Sequence, residues 1–329
     1  MNLRQRDLLK KRHFRSFILA TLFFLSIVAC SARGGSNAPT TECRMVQHSM
    51  GETCVPLNPQ RVVVLGGLDS AIALGVTPIG TTDRIEPFVT PYLNNEAIQA
   101  IENIGLYNTE PNLEAIIKLK PDLILGLSWE IEIGTYPLIS QIAPTVVVAV
   151  EAEKQWKETL KKYAEALGKT AEAEKILVDY NARLAEFKAK MGDRLNQTEV
   201  SFIRVYSDGV PSFYLKSSFG GSILEDAGLK RPPAQDIEPK GANQQRIDKE
   251  VISILDADIM FVWTYGYTSA IAQEAQTALK RLKTDPFWLS LNVVRQNRVY
   301  EVPSSYWAGF GPLAANLVID DLFKYFQVK

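Results

Sequence analysis

The sequence predicts an α/β protein with two similar lobes that are joined by one long helix. Short β-branched runs alternate with helical patterns from residue 61 onward, which is typical of a largely parallel sheet. A helix-then-strand pattern that begins at Glu114 recurs 136 residues later, at Glu250. An amphipathic stretch without proline or glycine lies between the two copies. A chain of 329 residues, 46% of them hydrophobic, is long enough to bury a core in each lobe.

Residues 1–29 have the pattern of a signal peptide. Six basic residues occur in the first 15 positions, and residues 17–29 then form an uncharged, mostly apolar run. A bilayer span needs ~20 apolar residues, so this run of 13 is too short for a transmembrane anchor. The run ends in Ile-Val-Ala-Cys30, which resembles the lipobox of bacterial lipoproteins. We expect lipidation of Cys30 and a solvated tether over residues 30–42; the alternative is an ordinary signal peptide followed by an incidental cysteine.

The charge balance limits the possible partners. The 36 Lys and Arg residues are matched by 37 Asp and Glu residues, which excludes the broad basic surface that nucleic-acid binding requires. Residues 1–29 hold six of the basic residues and one of the acidic residues, so the mature chain has a formal net charge of −6. This charge argues against a polybasic membrane-binding surface. We therefore expect an extracytoplasmic protein that is held at a membrane by its lipid.

The residues and motifs that most enzymes use for catalysis are nearly absent. The chain has two histidines, and only His48 lies beyond the signal peptide. A multi-histidine metal site is therefore excluded, and a histidine-based triad has one candidate. Dinucleotide-binding, P-loop, zinc-protease and Cys-X-X-Cys motifs do not occur, and Ser128 lacks the second glycine of a nucleophile elbow. We expect a protein that is not an enzyme and needs no cofactor.

Two cysteines, Cys43 and Cys54, remain when Cys30 carries the lipid. An even number of cysteines in an exported protein favours a disulfide bond, which would close a short loop here. The alternative is a pair of free, buried thiols. A metal site made from these two residues alone would lack ligands.

Local patterns predict the elements of the first lobe, residues 43–168. Residues 61–65 are a β-branched run that ends at two glycines, so they indicate a buried strand that enters a turn. Residues 69–74 follow as a short helix that is closed by Gly75. Residues 122–126 and 145–148 indicate two further strands.

The repeated pattern places an acidic residue at the start of a helix in each lobe. Glu114 follows Asn112 by two positions, and Glu250 follows Asp248 in the same way. Asn and Asp are helix-capping residues, so each glutamate is expected in the first turn of a helix, where its charge complements the helix dipole. Residues 200–205 read as the first strand of the second lobe, residues 193–329.

The connector between the lobes is predicted over residues 169–192. Residues 169–190 contain no proline or glycine, and their apolar side chains fall on one helical face. A helix of 22 residues is about 33 Å long. One rigid helix limits how far two lobes can swing, so we expect only a small closure upon ligand binding.

Several longer motifs resemble one protein family. They are residues 43–54 and 59–65, the sequence Asn-Leu-Glu-Ala-Ile-Ile-Lys-Leu-Lys-Pro-Asp-Leu-Ile-Leu over residues 112–125, and residues 285–291, 298–302 and 307–315. These motifs are similar to those of the ferric-siderophore and cobalamin class of ABC-importer substrate-binding proteins, over roughly residues 43–326.

The resemblance implies two Rossmann-like lobes joined by one long helix, with the ligand in the cleft between them. It further implies a monomer that docks on the importer permease through one glutamate at the tip of each lobe. The permease works together with its ATPase, so both are expected partners. Those glutamates match Glu114 and Glu250. The ligand would be a ferric siderophore whose iron is held by the chelate and not by protein residues.

Candidate ligand contacts lie where predicted strands end. Arg84 and Arg204 offer positive charge to an anionic chelate. Trp129 follows a strand of the first lobe, and Trp263 and Tyr265 follow the matching strand of the second. Weaker candidates are the aromatic residues Tyr107, Tyr136, Tyr267, Tyr306 and Trp307. Packing is the alternative role for each of them, and for Trp307 it would hold the loop before the last helix. Lys240 and Arg246 lie in polar loops, either at the rim of the cleft or simply in solvent.

Three alternatives to the siderophore assignment stay open from the sequence. Cobalamin and heme are ligands of related proteins, although the axial-ligand candidates His48 and Met50 lie in the short cysteine loop. The two arginines favour an anionic chelate, and we expect a hydroxamate or citrate–hydroxamate siderophore. The other classes are an enzyme, whose catalytic motifs are missing, and a purely structural lipoprotein, which leaves the paired glutamates and the two-lobed repeat unexplained.

Overall fold

The computed structural model describes residues 42–105, 109–237, 241–266 and 268–328. The predicted signal peptide, Cys30 and nearly all of the tether lie outside these residues. From Cys43 onward the chain folds as one compact unit. Two sheets, each covered by helices, divide this unit into an N-terminal and a C-terminal lobe.

The N-terminal lobe contains a hairpin and a five-stranded parallel sheet in the order β5-β4-β3-β6-β7. Its strands are β1 (Cys43–His48), β2 (Gly51–Pro56), β3 (Val62–Leu65), β4 (Gly80–Thr81), β5 (Glu102–Asn103), β6 (Leu123–Leu127) and β7 (Thr145–Val148). Its helices are α1 (Leu68–Ala73), α2 (Asn95–Ala100), α3 (Leu113–Leu119), α4 (Tyr136–Ile139) and α5 (Trp156–Leu167), with short 3-10 helices at Thr90–Tyr92 and Glu153–Gln155.

The hairpin of β1 and β2 is closed by a disulfide bond between Cys43 and Cys54, whose Cα atoms are 5.4 Å apart. It packs beside the edge strand β7, where the Oγ of Ser49 donates to the carbonyl of Val147 at 2.8 Å. Val46 on β1 is fully buried in the core of the lobe. The hairpin is therefore part of the folded lobe.

The C-terminal lobe has a mixed sheet in the order β10-β9-β8-β11-β12. Strands β8, β11 and β12 are parallel, whereas β9 and β10 run antiparallel to their neighbours. The strands are β8 (Val200–Val205), β9 (Pro211–Tyr214), β10 (Gln244–Arg246), β11 (Ile259–Thr264) and β12 (Val299–Glu301). The helices are α7 (Phe219–Asp226), α8 (Ser269–Leu282), α9 (Pro286–Ser290), α10 (Asn292–Arg295), α11 (Ser304–Trp307) and α12 (Pro312–Tyr325), with 3-10 helices at Gly192–Gln197 and Lys249–Leu255.

The sequence repeat corresponds to the same hydrogen-bonding arrangement in both lobes. The carboxylate of Asp122, just before β6, accepts a hydrogen bond from the backbone N–H of Arg61 at 2.9 Å. The carboxylate of Asp258, just before β11, accepts from the backbone N–H of Glu199 at 2.8 Å. Each aspartate thus fixes the start of one central strand against the start of its neighbour.

The helix starts of the two repeats differ. Asn112 caps α3 by accepting from the backbone N–H of Ala115 at 3.0 Å, as expected. Asp248 makes no side-chain capping bond, and the helix that follows it is a 3-10 helix with non-helical backbone at Val251. The expectation of two equivalent capped helices is therefore wrong for the second lobe, where the tighter turn replaces an α-helix.

The connector is α6 (Thr170–Met191), a helix of 22 residues. Tyr180, Leu184, Phe187 and Met191 are buried along one face and pack into the core of the C-terminal lobe. Gly192, with φ 54°, follows the end of the helix. A rigid rod of about 33 Å therefore joins the two lobes.

The last helix, α12, adds a second contact across the lobes. Its apolar face packs in the core of the C-terminal lobe, while its first turn meets α1 of the N-terminal lobe. Both carboxylate oxygens of Asp69 accept hydrogen bonds there, from the backbone N–H groups of Leu313 and Ala314 at 2.9 Å each. A side chain of one lobe thus caps a helix of the other.

Candidate functional site

A cleft of about 1220 Å³ lies between the lobes. This volume exceeds that of a typical small-molecule pocket and is large enough for a bulky chelate. Residues of both lobes line it, among them Asp69, Asp83 and Trp129 on one side and Arg204, Tyr214 and Trp263 on the other. The carboxyl ends of β3, β4, β6, β8 and β11 lead into the cleft, which is where α/β sheets place ligands.

Arg204 is a cation of the cleft that no acidic residue of the described ranges neutralises. It lies on β8, directly opposite Trp263 of β11 and Ser212 of β9, so the three side chains share one face of the sheet. None of the described carboxylates forms an ion pair with Arg204. Its Nε is buried and has no hydrogen-bond partner. A half-buried guanidinium in this state favours an anionic partner from outside the chain.

Aromatic rings surround this guanidinium. Its Cζ atom lies 4.0 Å from the ring centroid of Tyr206, 5.0 Å from that of Trp263 and 5.6 Å from that of Tyr265. The pKa of Tyr214 is raised, chiefly by burial, although the hydrogen bond and charge of Arg204 oppose the shift. Trp263 is 4% exposed, and its Nε1 has no hydrogen-bond partner. This wall presents flat aromatic surface to the cleft, and two buried N–H groups without a hydrogen-bond partner among the described residues, the Nε of Arg204 and the Nε1 of Trp263, lie behind it.

The N-terminal lobe contributes two more of the predicted contacts, Trp129 and Arg84. Trp129 follows β6, is half-buried, and packs edge-to-face against Phe310 with ring centroids 5.0 Å apart. Arg84 has 60% of its side chain exposed, and its Nε lies 3.9 Å from a carboxylate oxygen of Glu86. Both residues line the cleft. Arg84, unlike Arg204, has an acidic neighbour.

Two acidic residues of the cleft lining, the buried Asp69 and the half-buried Asp83, are not among the contacts predicted from the sequence. Burial raises the pKa of Asp69 to about 6, although its two backbone hydrogen bonds act in the opposite direction. Burial also raises the pKa of the half-buried Asp83 to about 7, and the charges of Glu130 and Asp69 add to this shift. The backbone N–H of Leu68 donates to Asp83 at 2.7 Å. The cleft therefore changes its charge near neutral pH.

The turn after β3 explains how Asp69 reaches this position. Gly66 and Gly67 have φ of 88° and 80°, in the left-handed region where glycine is favoured. A Cβ atom at Gly67 would lie 3.1 Å from the ring of Tyr163, so a side chain there would be crowded as well as strained by the positive φ. The predicted glycine turn thus places the start of α1, and Asp69 with it, at the cleft.

Glu153 links the lobes at another point of the cleft. Its carboxylate accepts hydrogen bonds from the backbone N–H of Phe219, at the start of α7, at 3.1 Å and from the Nδ2 of Asn243 at 3.0 Å. Burial raises the pKa of Glu153, and these two hydrogen bonds oppose that shift. No local motif marked this residue.

Comparison with known proteins identifies the family. Residues 66–306 match the family model described as "Periplasmic binding protein". This chain is a periplasmic binding protein. It is 34% identical to the probable siderophore-binding lipoprotein YfiY of Bacillus subtilis, over 96% of this chain and 98% of the relative. It is 33% identical to the achromobactin-binding periplasmic protein of Dickeya dadantii, over 81% of this chain and 86% of the relative.

The solved structures agree with this family. The crystal structure of Staphylococcus aureus SirA complexed with staphyloferrin B is 29% identical in sequence and superposes with a TM-score of 0.75. The match covers 87% of this chain and 99% of SirA. The two-lobed fold of this periplasmic binding protein is therefore that of siderophore-binding proteins.

Three predicted aromatic contacts occupy structural positions in this periplasmic binding protein. The hydroxyl of Tyr306, which is not part of the cleft lining, donates to Asp321 at 2.9 Å. Trp307 borders the cleft, but its side chain is fully buried and its Nε1 donates to the same carboxylate at 2.8 Å. Tyr136 packs against His48, with ring centroids 5.7 Å apart. These contacts satisfy the side chains within the protein, which favours a packing role.

The remaining basic and aromatic candidates are elsewhere. Arg246 lies on β10, forms an ion pair with Asp208 and does not line the cleft. Tyr107, Lys240 and Tyr267 lie outside the described residues. The docking candidates Glu114 and Glu250 are both exposed, each in the first turn of its helix.

Metal and membrane features are limited within the described ranges. No group of three or more His, Cys, Asp or Glu side chains there could hold a metal ion. In the same part of the chain, no helix has both the length and the apolar character that crossing a bilayer requires.

Proposed function

We propose that this periplasmic binding protein captures a ferric siderophore outside the cytoplasmic membrane and delivers it to an ABC importer. The observation that carries the proposal is Arg204, a half-buried cation of the cleft that is walled by aromatic rings and has no described acidic partner. An anionic chelate with flat organic arms would supply the missing charge and stack on the rings. The names of the YfiY, achromobactin and SirA proteins support this ligand class.

Among ferric siderophores, we propose a chelate of the hydroxamate or citrate–hydroxamate type, and the unpaired Arg204 favours the anionic citrate–hydroxamate. The iron would be held by the chelate, so the protein would need no metal ligands and no cofactor. We also propose that the lobes comprise residues 43–168 and 193–329, with residues 169–192 as the connector, and that the protein acts as a monomer without enzymatic activity.

Ligand binding can be tested by quenching of tryptophan fluorescence, since Trp129 and Trp263 line the cleft. The chain from residue 31 onward would be titrated with ferric citrate, a ferric citrate–hydroxamate, a ferric trihydroxamate, a ferric triscatecholate, cobalamin and hemin. We expect tight binding of an iron chelate. Tight binding of cobalamin or hemin with no response to any iron chelate would contradict the proposal.

The role of Arg204 can be tested with a matched pair of variants. Arg204→Gln should weaken binding of the preferred anionic chelate by about tenfold or more, because a hydrogen bond to a charged group contributes ~1.5 kcal/mol or more. Arg298→Gln is the control, since Arg298 is exposed and precedes β12 at the end of the sheet away from the cleft. Equal affinities for the two variants would remove the main support for an anionic ligand.

We further propose that Glu114 and Glu250 dock on arginines of the importer permease through charge-assisted hydrogen bonds. The double variant Glu114→Ala with Glu250→Ala should lose iron uptake in cells and keep the chelate affinity of the wild type. Glu96→Ala with Glu274→Ala is the control, because these glutamates are also exposed residues of helices. Normal uptake by the first pair, or loss of its chelate binding, would exclude the docking role.

Lipidation of Cys30 is the remaining part of the proposal. Its support is the lipobox-like sequence before Cys30 and the lipoprotein name of the relative YfiY. Cys30→Ala should release the protein from the membrane fraction and prevent incorporation of labelled palmitate. Unchanged membrane association of this variant would exclude a lipid anchor at Cys30.

A further inference from the structure

One lateral row of side chains crosses the C-terminal sheet from the cleft to its edge. Trp263 of β11 lies opposite Arg204 of β8, Arg204 lies opposite Ser212 of β9, and Ser212 lies opposite Arg246 of β10. Residues directly opposite one another point to the same face of a sheet. Two arginines therefore stand on one face, separated by the small side chain of Ser212.

The ring of Tyr206 contacts both arginines. The Cζ atom of Arg204 is 4.0 Å from the ring centroid, and the Cζ atom of Arg246 is 4.5 Å from it. The hydroxyl of Tyr206 donates to the Oε1 of Gln244 at 2.7 Å, and Gln244 lines the cleft. Tyr206 is itself half-buried and does not line the cleft.

The two guanidinium groups differ in their acidic neighbours. Arg246 forms an ion pair with Asp208, which follows Tyr206 by two residues. Arg204 has no ion pair with any described carboxylate, although Asp208 is close in sequence. Arg204 lacks such a partner, so its orientation depends on its hydrogen bond with Tyr214 and on packing contacts. Among the rings around its guanidinium, that of Tyr206 is the nearest, at 4.0 Å from the Cζ atom.

We propose that Tyr206 is a positioning residue that holds the guanidinium of Arg204 towards the cleft and away from Asp208. The proposal rests on the function proposed above, in which Arg204 binds an anionic iron chelate. Tyr206 acts through Arg204 and does not contact the ligand. Its hydrogen bond to Gln244 fixes the ring, and the ring fixes the guanidinium.

The test is a double-mutant cycle of Tyr206→Leu and Arg204→Gln, with binding of a ferric citrate–hydroxamate chelate as the readout. Tyr206→Leu should weaken binding about fivefold in the wild-type background and change it less than twofold in the Arg204→Gln background. Tyr206→Phe keeps the ring and should stay within threefold of the wild type. A ferric trihydroxamate, which has no net charge, is the second probe. Its affinity should fall less than twofold when Tyr206 is replaced by Leu.

The outcomes separate the positioning role from a structural role. The proposal would be overturned if Tyr206→Leu reduced the chelate affinity equally in both backgrounds. It would also be overturned if Tyr206→Leu reduced the affinities for the charged and the uncharged chelate equally. Tyr206→Met is a second ring-less variant, to be used if thermal unfolding indicates that Tyr206→Leu does not fold. A wild-type protein that binds none of the chelates would overturn the proposed function, and this inference with it.

Discussion

Asp69 and Ala314 are joined by a hydrogen bond of 2.9 Å, although 245 residues separate them in the chain. Asp69 belongs to the first helix of the N-terminal lobe, and Ala314 lies in the first turn of the last helix, which packs in the C-terminal lobe. A carboxylate at a helix N-terminus is stabilising because it meets unpaired N–H groups and the positive end of the dipole. This hydrogen bond therefore links the first helix of the N-terminal lobe to the last helix of the chain, which packs in the C-terminal lobe.

The raised pKa of Asp69 predicts a pH-dependent contribution to stability. The folded protein binds the proton of this carboxyl more tightly than the unfolded chain, since the pKa rises from 3.8 to about 6. The stability that this proton contributes is complete below about pH 4 and is lost as the pH rises through about 6. Relative to Asp69→Asn, the wild type should lose up to about 3 kcal/mol of unfolding free energy over this range. Urea unfolding of both proteins at several pH values measures it, and parallel pH profiles would contradict the assignment.

The same contact predicts limited lobe closure. Because α6 and the cap between Asp69 and α12 both join the lobes, the radius of gyration in solution scattering should decrease only slightly when a chelate binds. Asp69→Ala removes the cap and should give a larger decrease on binding. A large contraction of the wild type would show that neither connection restrains the lobes.

The raised pKa of Asp83 predicts that chelate affinity depends on pH. The pKa of Asp83 is raised to about 7, so this residue gains its negative charge as the pH rises through that value. A like charge in the cleft opposes an anionic ligand by ~1 kcal/mol, so affinity should fall about fivefold between pH 6 and pH 8. Asp83→Asn should remove most of this change. An uncharged chelate serves as the control, and equal pH dependence for both ligands would assign the effect to another group.

The disulfide bond predicts a stability effect in the first hairpin. Cys43 and Cys54 are 11 residues apart, and closing a loop of this size contributes roughly 2–3 kcal/mol through the entropy of the unfolded chain. Cys43→Ser with Cys54→Ser should lower the unfolding free energy by this amount, as should a reductant on the wild type. The double variant should not respond to reductant. Two free thiols in the purified wild type would contradict the assignment.

Short-range patterns were sufficient for most of the central elements. The connector is predicted over residues 169–192, and the structure has α6 at Thr170–Met191. The strand expected over residues 200–205 is β8. Buried parallel strands and amphipathic helices repeat with a fixed period along the chain, so their signal is contained in neighbouring residues.

The two antiparallel strands of the C-terminal sheet could not be predicted in this way. Strand β9 begins with a proline, and β10 is a polar run of three residues, so neither shows the alternation of a half-buried strand. Their residues Tyr214 and Gln244 nevertheless line the cleft. The sheet register places them there, and register depends on pairing between distant segments.

The sequence by itself thus determined the connector and the position of Arg204 on a strand, because each follows from residues close together in the chain. It also determined the two-lobed α/β architecture, because one local pattern recurs 136 residues later. Only the tertiary structure decided which groups share the cleft with Arg204. Burial, and with it the raised pKa values of Asp69 and Asp83, arises from packing between segments far apart in sequence. Packing between distant segments also buries Trp307, one of the predicted ligand contacts, whose Nε1 donates a hydrogen bond to Asp321.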